Sequence, residues 1–241
     1  MDVTLPEGIY LIRPTGDARQ LLVAGDYSLP DWSPDGLTIA CRGPNARIHR
    51  IDVATRATTP IGPAGCFFPS WSPAGDMIAF DTSIGDPRGA HAIWLMRADG
   101  SDARDISTHG TGEWRDPDWG PDGRRMLIQR YVPGRSGPEI WTMDTSGTPL
   151  ARLTDDAAYV ECPVWSADGR AIAWTRSQGG VSEIWAVLPG PPVQRRVVEG
   201  RDPSWSPDGR RVAFTRAGGD GRTRLFVVGV DGKGLVDLSP P

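Results

Sequence analysis

The chain has 241 residues, of which 39% are hydrophobic, and carries a formal net charge of −4 at pH 7. These values predict a globular protein with a core and exclude a disordered or low-complexity chain. The negative charge and the scattered arginines also argue against a nucleic-acid-binding surface.

The first predicted elements are two short strands at the N-terminus. Gly8–Ile12 and Ala18–Leu22 are apolar segments on either side of a Pro14-Thr-Gly16 turn. This pair matches the second half of the repeating unit that follows it. We therefore expect residues 1–23 to form half a unit and residues 24–241 to form five full units, all within one domain.

A seven-residue motif of the form Pro-x-Trp-Ser-Pro-Asp-Gly opens each full unit. Its tryptophans are separated by 39, 48, 46 and 40 residues, and a period of this length predicts a propeller or a solenoid. The five copies are Pro30–Gly36, Pro69–Gly75, Pro117–Gly123, Pro163–Gly169 and Pro203–Gly209.

Each unit is predicted to contain four antiparallel strands. The Ser-Pro-Asp-Gly element predicts a tight turn, because Pro presets φ and the final Gly accepts a left-handed conformation. An apolar strand such as Met77–Phe80 follows the turn, and a third strand carries an aliphatic and then an aromatic residue, as in Ile93-Trp94. A fourth strand ends in Ile106, Leu153, Val198 or Leu238. The predicted fold is therefore an all-β propeller of four-stranded blades.

The half unit leaves the closure of the propeller open. We favour a ring of six positions in which one blade is thin. One alternative is that N-terminal residues carrying two further strands are missing from the sequence. Another is a homodimer that forms through the incomplete blade, because an exposed strand edge favours pairing.

The repeats resemble the WD-like repeats of TolB-type propellers over essentially the whole chain. The resemblance rests on Pro-x-Trp-Ser-Pro-Asp-Gly, the Ile-Ala-Phe strand and the Ile-Trp strand with its Asp-Gly turn. It implies the propeller fold and, from TolB itself, a protein partner. Related repeats in peptidases and polysaccharide lyases come with a nucleophile elbow or a histidine cluster, and neither pattern is found in this sequence.

The candidate binding residues precede or adjoin the first strand of each blade, at the expected mouth of a central channel. Aromatic and oppositely charged side chains in this position are suited to a peptide or a polar small molecule. The candidates are Tyr27, Phe67, Phe68, Trp114, Arg115, Asp116, Tyr159, Glu161, Arg201 and Asp202.

Two alternatives compete with this interpretation. The pairs Arg115-Asp116 and Arg201-Asp202 are consistent with simple ion pairs that contribute little. Glu161, Asp116 and Asp202 are also suited to acid–base chemistry in an enzyme acting on carbohydrates or small molecules.

The loops that join second to third strands and fourth to first strands are expected on one face of the propeller, and segments such as Ser83–Ala90 and Tyr131–Pro138 vary in length. We favour a non-enzymatic binding or scaffold protein that recognises a protein or peptide through this variable-loop face.

No metal, cofactor or membrane insertion is expected. His49, His91 and His109 occupy different positions of the repeat, and Cys41, Cys66 and Cys162 are expected to be free buried thiols. Residues 1–8 lack the pattern of a signal peptide, which predicts a cytoplasmic protein for the sequence as written. A periplasmic or extracellular location is the expectation if an N-terminal segment is missing.

Overall fold

The computed structural model describes residues 6–107, 112–155, 158–188, 190, 193–219 and 221–239. Within them, the strands form one two-stranded sheet followed by five four-stranded antiparallel sheets, each built from consecutive strands. These five sheets are the predicted blades, and we number them 1 to 5 in chain order.

The two-stranded sheet contains β1 (Gly8–Leu11) and β2 (Gln20–Ala24). Blade 1 contains β3 (Ser28–Trp32), β4 (Thr38–Gly43), β5 (Arg47–Asp52) and β6 (Thr58–Ile61), with a short 3-10 helix at Pro44–Ala46. Blade 2 contains β7 (Cys66–Trp71), β8 (Met77–Thr82), β9 (Ala92–Arg97) and β10 (Arg104–Asp105). Blade 3 contains β11 (Glu113–Trp119), β12 (Arg125–Tyr131), β13 (Glu139–Asp144) and β14 (Pro149–Arg152). Blade 4 contains β15 (Tyr159–Trp165), β16 (Ile172–Gln178), β17 (Val181–Val187) and β18 (Gln194–Glu199). Blade 5 contains β19 (Arg201–Trp205), β20 (Arg211–Ala217), β21 (Thr223–Gly229) and β22 (Val236–Asp237).

The Ser-Pro-Asp-Gly element forms the turn between the first two strands of every blade. In blade 1, the Gly36 amide donates to the Ser33 carbonyl at 2.9 Å, and the Asp35 carboxylate accepts from the Ser33 hydroxyl and the Leu37 amide. Gly36 has a φ of +70°, a conformation that suits glycine best. The final glycines of the other four copies also have positive φ, which confirms the predicted turn.

Apolar side chains fill the interfaces between successive blades. Between blades 1 and 2, for example, Ala40 and Ile48 of blade 1 share a buried cluster with Trp71, Ile78 and Phe80 of blade 2. Equivalent clusters join blades 2 and 3, blades 3 and 4, and blades 4 and 5. A single blade cannot bury both of its faces, so each blade depends on its neighbours for stability.

A polar contact between inner strands accompanies this packing. The variable residue of Pro-x-Trp in one blade accepts a hydrogen bond from the backbone of the motif tryptophan in the next blade. The bonds are Trp71 N to Asp31 at 2.7 Å, Trp119 N to the Ser70 hydroxyl at 3.1 Å and Trp165 N to Asp118 at 2.7 Å. These bonds fix the register between adjacent first strands.

The sheet of β1 and β2 packs against blade 1. Its residues Ile9 and Leu22 are buried in one cluster with Ile39, Cys41 and Ile51. No helix in the described ranges is long and apolar enough to cross a membrane.

Candidate functional site

Each first strand contains a bulge at the residue that precedes the motif proline. The strand shifts register against its partner there, and the residue adopts a left-handed conformation that is rare for residues with a side chain. These residues are Leu29 (φ 54°), Phe68 (48°), Asp116 (55°), Cys162 (51°) and Asp202 (54°). Three predicted binding residues, Phe68, Asp116 and Asp202, are therefore in this group. Strain repeated at one place is a feature of functional sites.

The bulge residues of blades 3 and 4 are directly connected. The Asp116 carboxylate accepts a hydrogen bond from the Cys162 amide at 2.7 Å, and the Asp116 amide donates to Asp81 at 3.5 Å. Burial raises the pKa of Asp116 to about 7, and the carboxylates of Asp81 and Glu161 add to this rise. Asp116 therefore belongs to the framework of the site.

Asp81 and His91 form a pair that sequence reasoning missed. The Nδ1 atom of His91 lies 2.5 Å from a carboxylate oxygen of Asp81, which is almost fully buried. The ring of Phe67 lies against His91 with centroids 5.6 Å apart, and the Arg42 guanidinium lies 5.2 Å from the centre of the Phe67 ring. Phe67 is therefore held between an imidazole and a cation from the neighbouring blade.

Arg115 lies between a carboxylate and an aromatic ring. Its guanidinium pairs with Glu113 at 2.8 Å and lies 5.3 Å from the centre of the Tyr131 ring. The Tyr131 hydroxyl is 2.6 Å from the hydroxyl of Tyr159 in the next blade. The described ion pair of Arg115 is thus made with Glu113 and not with Asp116.

Arg201 is exposed and is oriented by a neighbouring blade. Its Nε atom donates to the Ser182 hydroxyl at 2.8 Å, whereas Asp202 accepts from the Thr215 hydroxyl at 2.8 Å. The two side chains thus have different partners, contrary to the simple ion-pair alternative. Burial raises the pKa of Glu161, nearby Arg201 lowers it and Asp202 raises it further.

Trp114 lies deeper than the other candidate residues, and Tyr27 is in contact with blade 1. Trp114 is only 2% exposed and belongs to the core between blades 2 and 3, with the Arg130 guanidinium 4.7 Å from its ring centre. Tyr27 is half-buried and makes an edge-to-face contact with His49, with centroids 5.4 Å apart.

The solvent-accessible part of this network is a surface that we call the inner rim. It consists of the exposed residues Tyr159 and Arg201 and of four half-buried residues, Phe67, Arg115, Tyr131 and Glu161. The side chains come from blades 2 to 5, and Tyr131 ends β12 where the 132–138 connection begins. The arrangement offers three aromatic rings, two guanidinium groups and one carboxylate on rigid strands, which is the composition of a surface for a polypeptide.

The remaining histidine and cysteine predictions have mixed outcomes. Cys41 and Cys66 are free and buried, and burial raises their pKa values to about 12. Cys162 is free but only half-buried, contrary to the prediction, because the bulge places it beside Asp202. His109 lies outside the described residues. In the described part of the chain, no three His, Cys, Asp or Glu side chains are grouped to hold a metal ion.

Five four-stranded blades with inner strands side by side define a β-propeller. The chain belongs to the family of the TolB beta propeller domain, which matches residues 15–240. This result confirms the resemblance drawn from the repeats.

The comparisons with individual proteins agree with this assignment. The chain is 28% identical over 186 residues to the uncharacterized protein Atu1656 of Agrobacterium fabrum, covering 70% of this chain and 61% of that protein. Its fold is similar to TolB from Acinetobacter baumannii, with a TM-score of 0.81, 22% identity, and coverage of 92% of this chain and 57% of TolB. It is also similar to a putative TolB from Agrobacterium tumefaciens, with a TM-score of 0.79, 23% identity, and coverage of 92% and 84%. The chain thus spans about three fifths of the first two of these proteins.

Proposed function

We propose that this chain is a non-enzymatic binding propeller that recognises a protein or peptide through the inner rim. The observation that carries the proposal is the continuous set of contacts from Arg115 through Tyr131 and Tyr159, which brings side chains of blades 3 and 4 onto one surface. Tyrosine and arginine dominate the energetics of many protein interfaces, because they combine large contact area with directed hydrogen bonds. Such a surface favours an extended polypeptide ligand.

The partners of the carboxylates support binding rather than acid–base catalysis. Asp116 accepts the Cys162 amide and Asp202 accepts the Thr215 hydroxyl, so both carboxylates stabilise the bulged strands. A general acid or base needs to reach the reacting atom of a substrate. Their existing bonds favour a framework role for these two groups.

We further propose that the sheet of β1 and β2 occupies the sixth position of a closed ring. A β-carbon placed on Gly16, in the turn between these strands, would lie 3.1 Å from the Cα atom of Leu238 at the end of blade 5. The turn between the third and fourth strands makes the same kind of contact with the preceding outer strand in blades 2, 3 and 5. Those contacts are Gly100 with Ile61, Gly147 with Ile106 and Gly232 with Val197. The recurrence supports treating β1 and β2 as the third and fourth strands of a sixth blade.

Ring closure can be tested by a disulfide between Gly16→Cys and Leu238→Cys, in a background in which the three native cysteines are replaced by alanine. A closed ring brings these positions within bridging distance, so mild oxidation should give a reducible mobility shift for the monomer. Absence of this bridge under conditions that oxidise a free thiol pair would contradict the closed ring.

The binding role can be tested by affinity capture with the wild-type chain and an Arg115→Ala/Arg201→Ala variant. An Arg104→Ala/Arg124→Ala variant is the matched control, because it removes the same charge from exposed positions away from the inner rim. We expect the rim variant to lose partners that the control keeps. Identical partner sets for all three proteins would refute the assignment of the inner rim.

A further inference from the structure

Blade 1 lacks the cover that protects the first strand of every other blade. The motif prolines Pro69, Pro117, Pro163 and Pro203 are buried, but Pro30 is exposed. The motif tryptophan shows the same difference, because Trp71 is 7% exposed whereas Trp32 is 48% exposed. In blades 2 to 5 the preceding blade supplies the cover, so the first strand of blade 1 faces an incomplete neighbour.

The turns show what kind of element supplies this cover. In three of the four pairs of successive Ser-Pro-Asp-Gly turns, the proline of one turn approaches the final glycine of the next. A β-carbon on that glycine would lie 3.7 Å from Pro34 at Gly75, 3.4 Å from Pro73 at Gly123 and 3.0 Å from Pro121 at Gly169. Gly36 of blade 1 has no such neighbour within 4 Å, and neither does Gly209 of blade 5, where the preceding turn has Ala167 in place of the proline. A hairpin with a Ser-Pro-Asp-Gly turn at the missing position would bring its proline to Gly36.

The face of blade 5 that a following blade would cover is partly uncovered as well. The middle residue of the second strand is fully buried in blades 1 to 4, where it lies against the tryptophan and aromatic or aliphatic residues of the next blade. These residues are Ala40, Ala79, Leu127 and Ala173. The equivalent Ala213 of blade 5 is only half-buried. Ala213 thus lacks the side chains that the first two strands of a following blade would provide.

Strand β1 offers the backbone that such a hairpin needs. Within the described residues, β1 pairs with β2 on one edge and with no strand on the other. The third strand of every full blade is paired on both edges. Free backbone donors and acceptors along an edge bind an added strand by main-chain hydrogen bonds.

We propose that the gap between β1, Trp32 and Ala213 is a binding site for a β-hairpin of the Pro-x-Trp-Ser-Pro-Asp-Gly class. The second strand of the hairpin pairs with β1, its tryptophan packs on Ala213, and the proline of its turn covers Gly36. This inference rests on the six-position ring proposed above. The gap is separate from the inner rim and takes a different kind of ligand.

The test uses a synthetic peptide with the sequence of residues 201–217, which forms the first hairpin of blade 5. The control peptide has the Trp205→Ala and Phe214→Ala substitutions. Titration calorimetry should show saturable one-to-one binding of the first peptide and at least roughly tenfold weaker binding of the control, because the control lacks the two large side chains that would be buried. Bound peptide should also slow hydrogen exchange in Ile9–Leu11, because these backbone groups become paired.

Two variants locate the binding. Ala213→Gln places a polar side chain on the wall of the gap and should abolish peptide binding, whereas Leu150→Gln, at an exposed position of β14, should leave it unchanged. Both proteins should unfold at nearly the wild-type temperature without peptide, which shows that they are folded.

The proposal is overturned if the wild-type chain does not bind the peptide, if Ala213→Gln binds it equally well, or if exchange in β1 is unaffected. It is also overturned if the chain dimerises and Ala213→Gln alone makes it monomeric, since a second copy then occupies the gap. A disulfide between positions 16 and 238 without peptide binding would reject the hairpin and keep the ring. Loss of partners by the rim variant is an independent result.

Discussion

Replacing the motif tryptophan in two different blades tests the packing between blades. Trp71 is 7% exposed and lies in the cluster between blades 1 and 2, whereas Trp32 is 48% exposed. A tryptophan side chain buries roughly 200 Å², and burial contributes about 25 cal/mol per Å². Trp71→Ala should therefore lower the free energy of unfolding by about 4.5 kcal/mol, and Trp32→Ala by about 2.5 kcal/mol.

The assay is thermal unfolding of both variants beside the wild-type chain, followed by circular dichroism. For a protein of this size, 1 kcal/mol corresponds to about 2–4 °C, so the Trp71→Ala midpoint should lie at least about 4 °C below that of Trp32→Ala. The two substitutions remove the same atoms from the same position of the repeat, so only the neighbouring blade differs. Equal midpoints would show that the preceding blade does not determine the contribution of the tryptophan, and would refute this reasoning.

Two further predictions concern the bulge and the turns. Asp116→Asn should stabilise the protein at pH 8 by about 2 kcal/mol and have little effect near pH 4. The pKa of Asp116 is raised in the folded state, so ionisation of this carboxyl lowers stability as pH rises from about 4 to about 7. The side-chain oxygen of asparagine can still accept the hydrogen bond from the Cys162 amide. A stabilisation that does not change between these pH values in chemical denaturation would contradict the raised pKa. Gly147→Ala should lower the free energy of unfolding by about 3 kcal/mol or more, since its new methyl group would overlap the carbonyl oxygen of Ile106. Gly134→Ala is the control, because Gly134 has a similar φ but open space around it, and should lower the free energy of unfolding by about 1 kcal/mol. Similar unfolding midpoints for the two alanine variants would show that turn strain alone, and not blade contact, determines the loss.

The repeats determine the number and order of strands well. Strand ends are displaced by one or two residues, as in β2, which begins at Gln20 rather than at the predicted Ala18. The pattern fixes which residues are apolar and where turns occur, and these two features are sufficient to build a blade. The four-stranded blades and the left-handed glycine of each turn were therefore predictable.

The conformation of the bulges was not predictable from sequence. A residue before proline normally prefers extended backbone, so the local sequence of Asp116 and Cys162 carries no signal for a left-handed conformation. Their positive φ values turn the side chains toward neighbouring blades, where Asp116 accepts the Cys162 amide. This arrangement depends on contacts between residues 46 positions apart, which the local pattern does not contain.

Contacts between strands also explain the other differences at the site. The pairing of His91 with Asp81 requires the register of β8 and β9, and the sequence offered only an acidic residue after Phe80 as a signal. Trp114 lies one position before Arg115, so the alternation along β11 directs it into the core. Tyr131 was visible only as the first residue of a variable connection.

The most direct test of the account is a hydrogen-exchange footprint of the chain bound to a captured partner. We predict that partner binding slows exchange in the first strands β11, β15 and β19 at the inner rim, and that the Arg115→Ala/Arg201→Ala variant loses this protection. Protection confined to the Ser-Pro-Asp-Gly turns, and retained by that variant, would contradict the proposed binding surface.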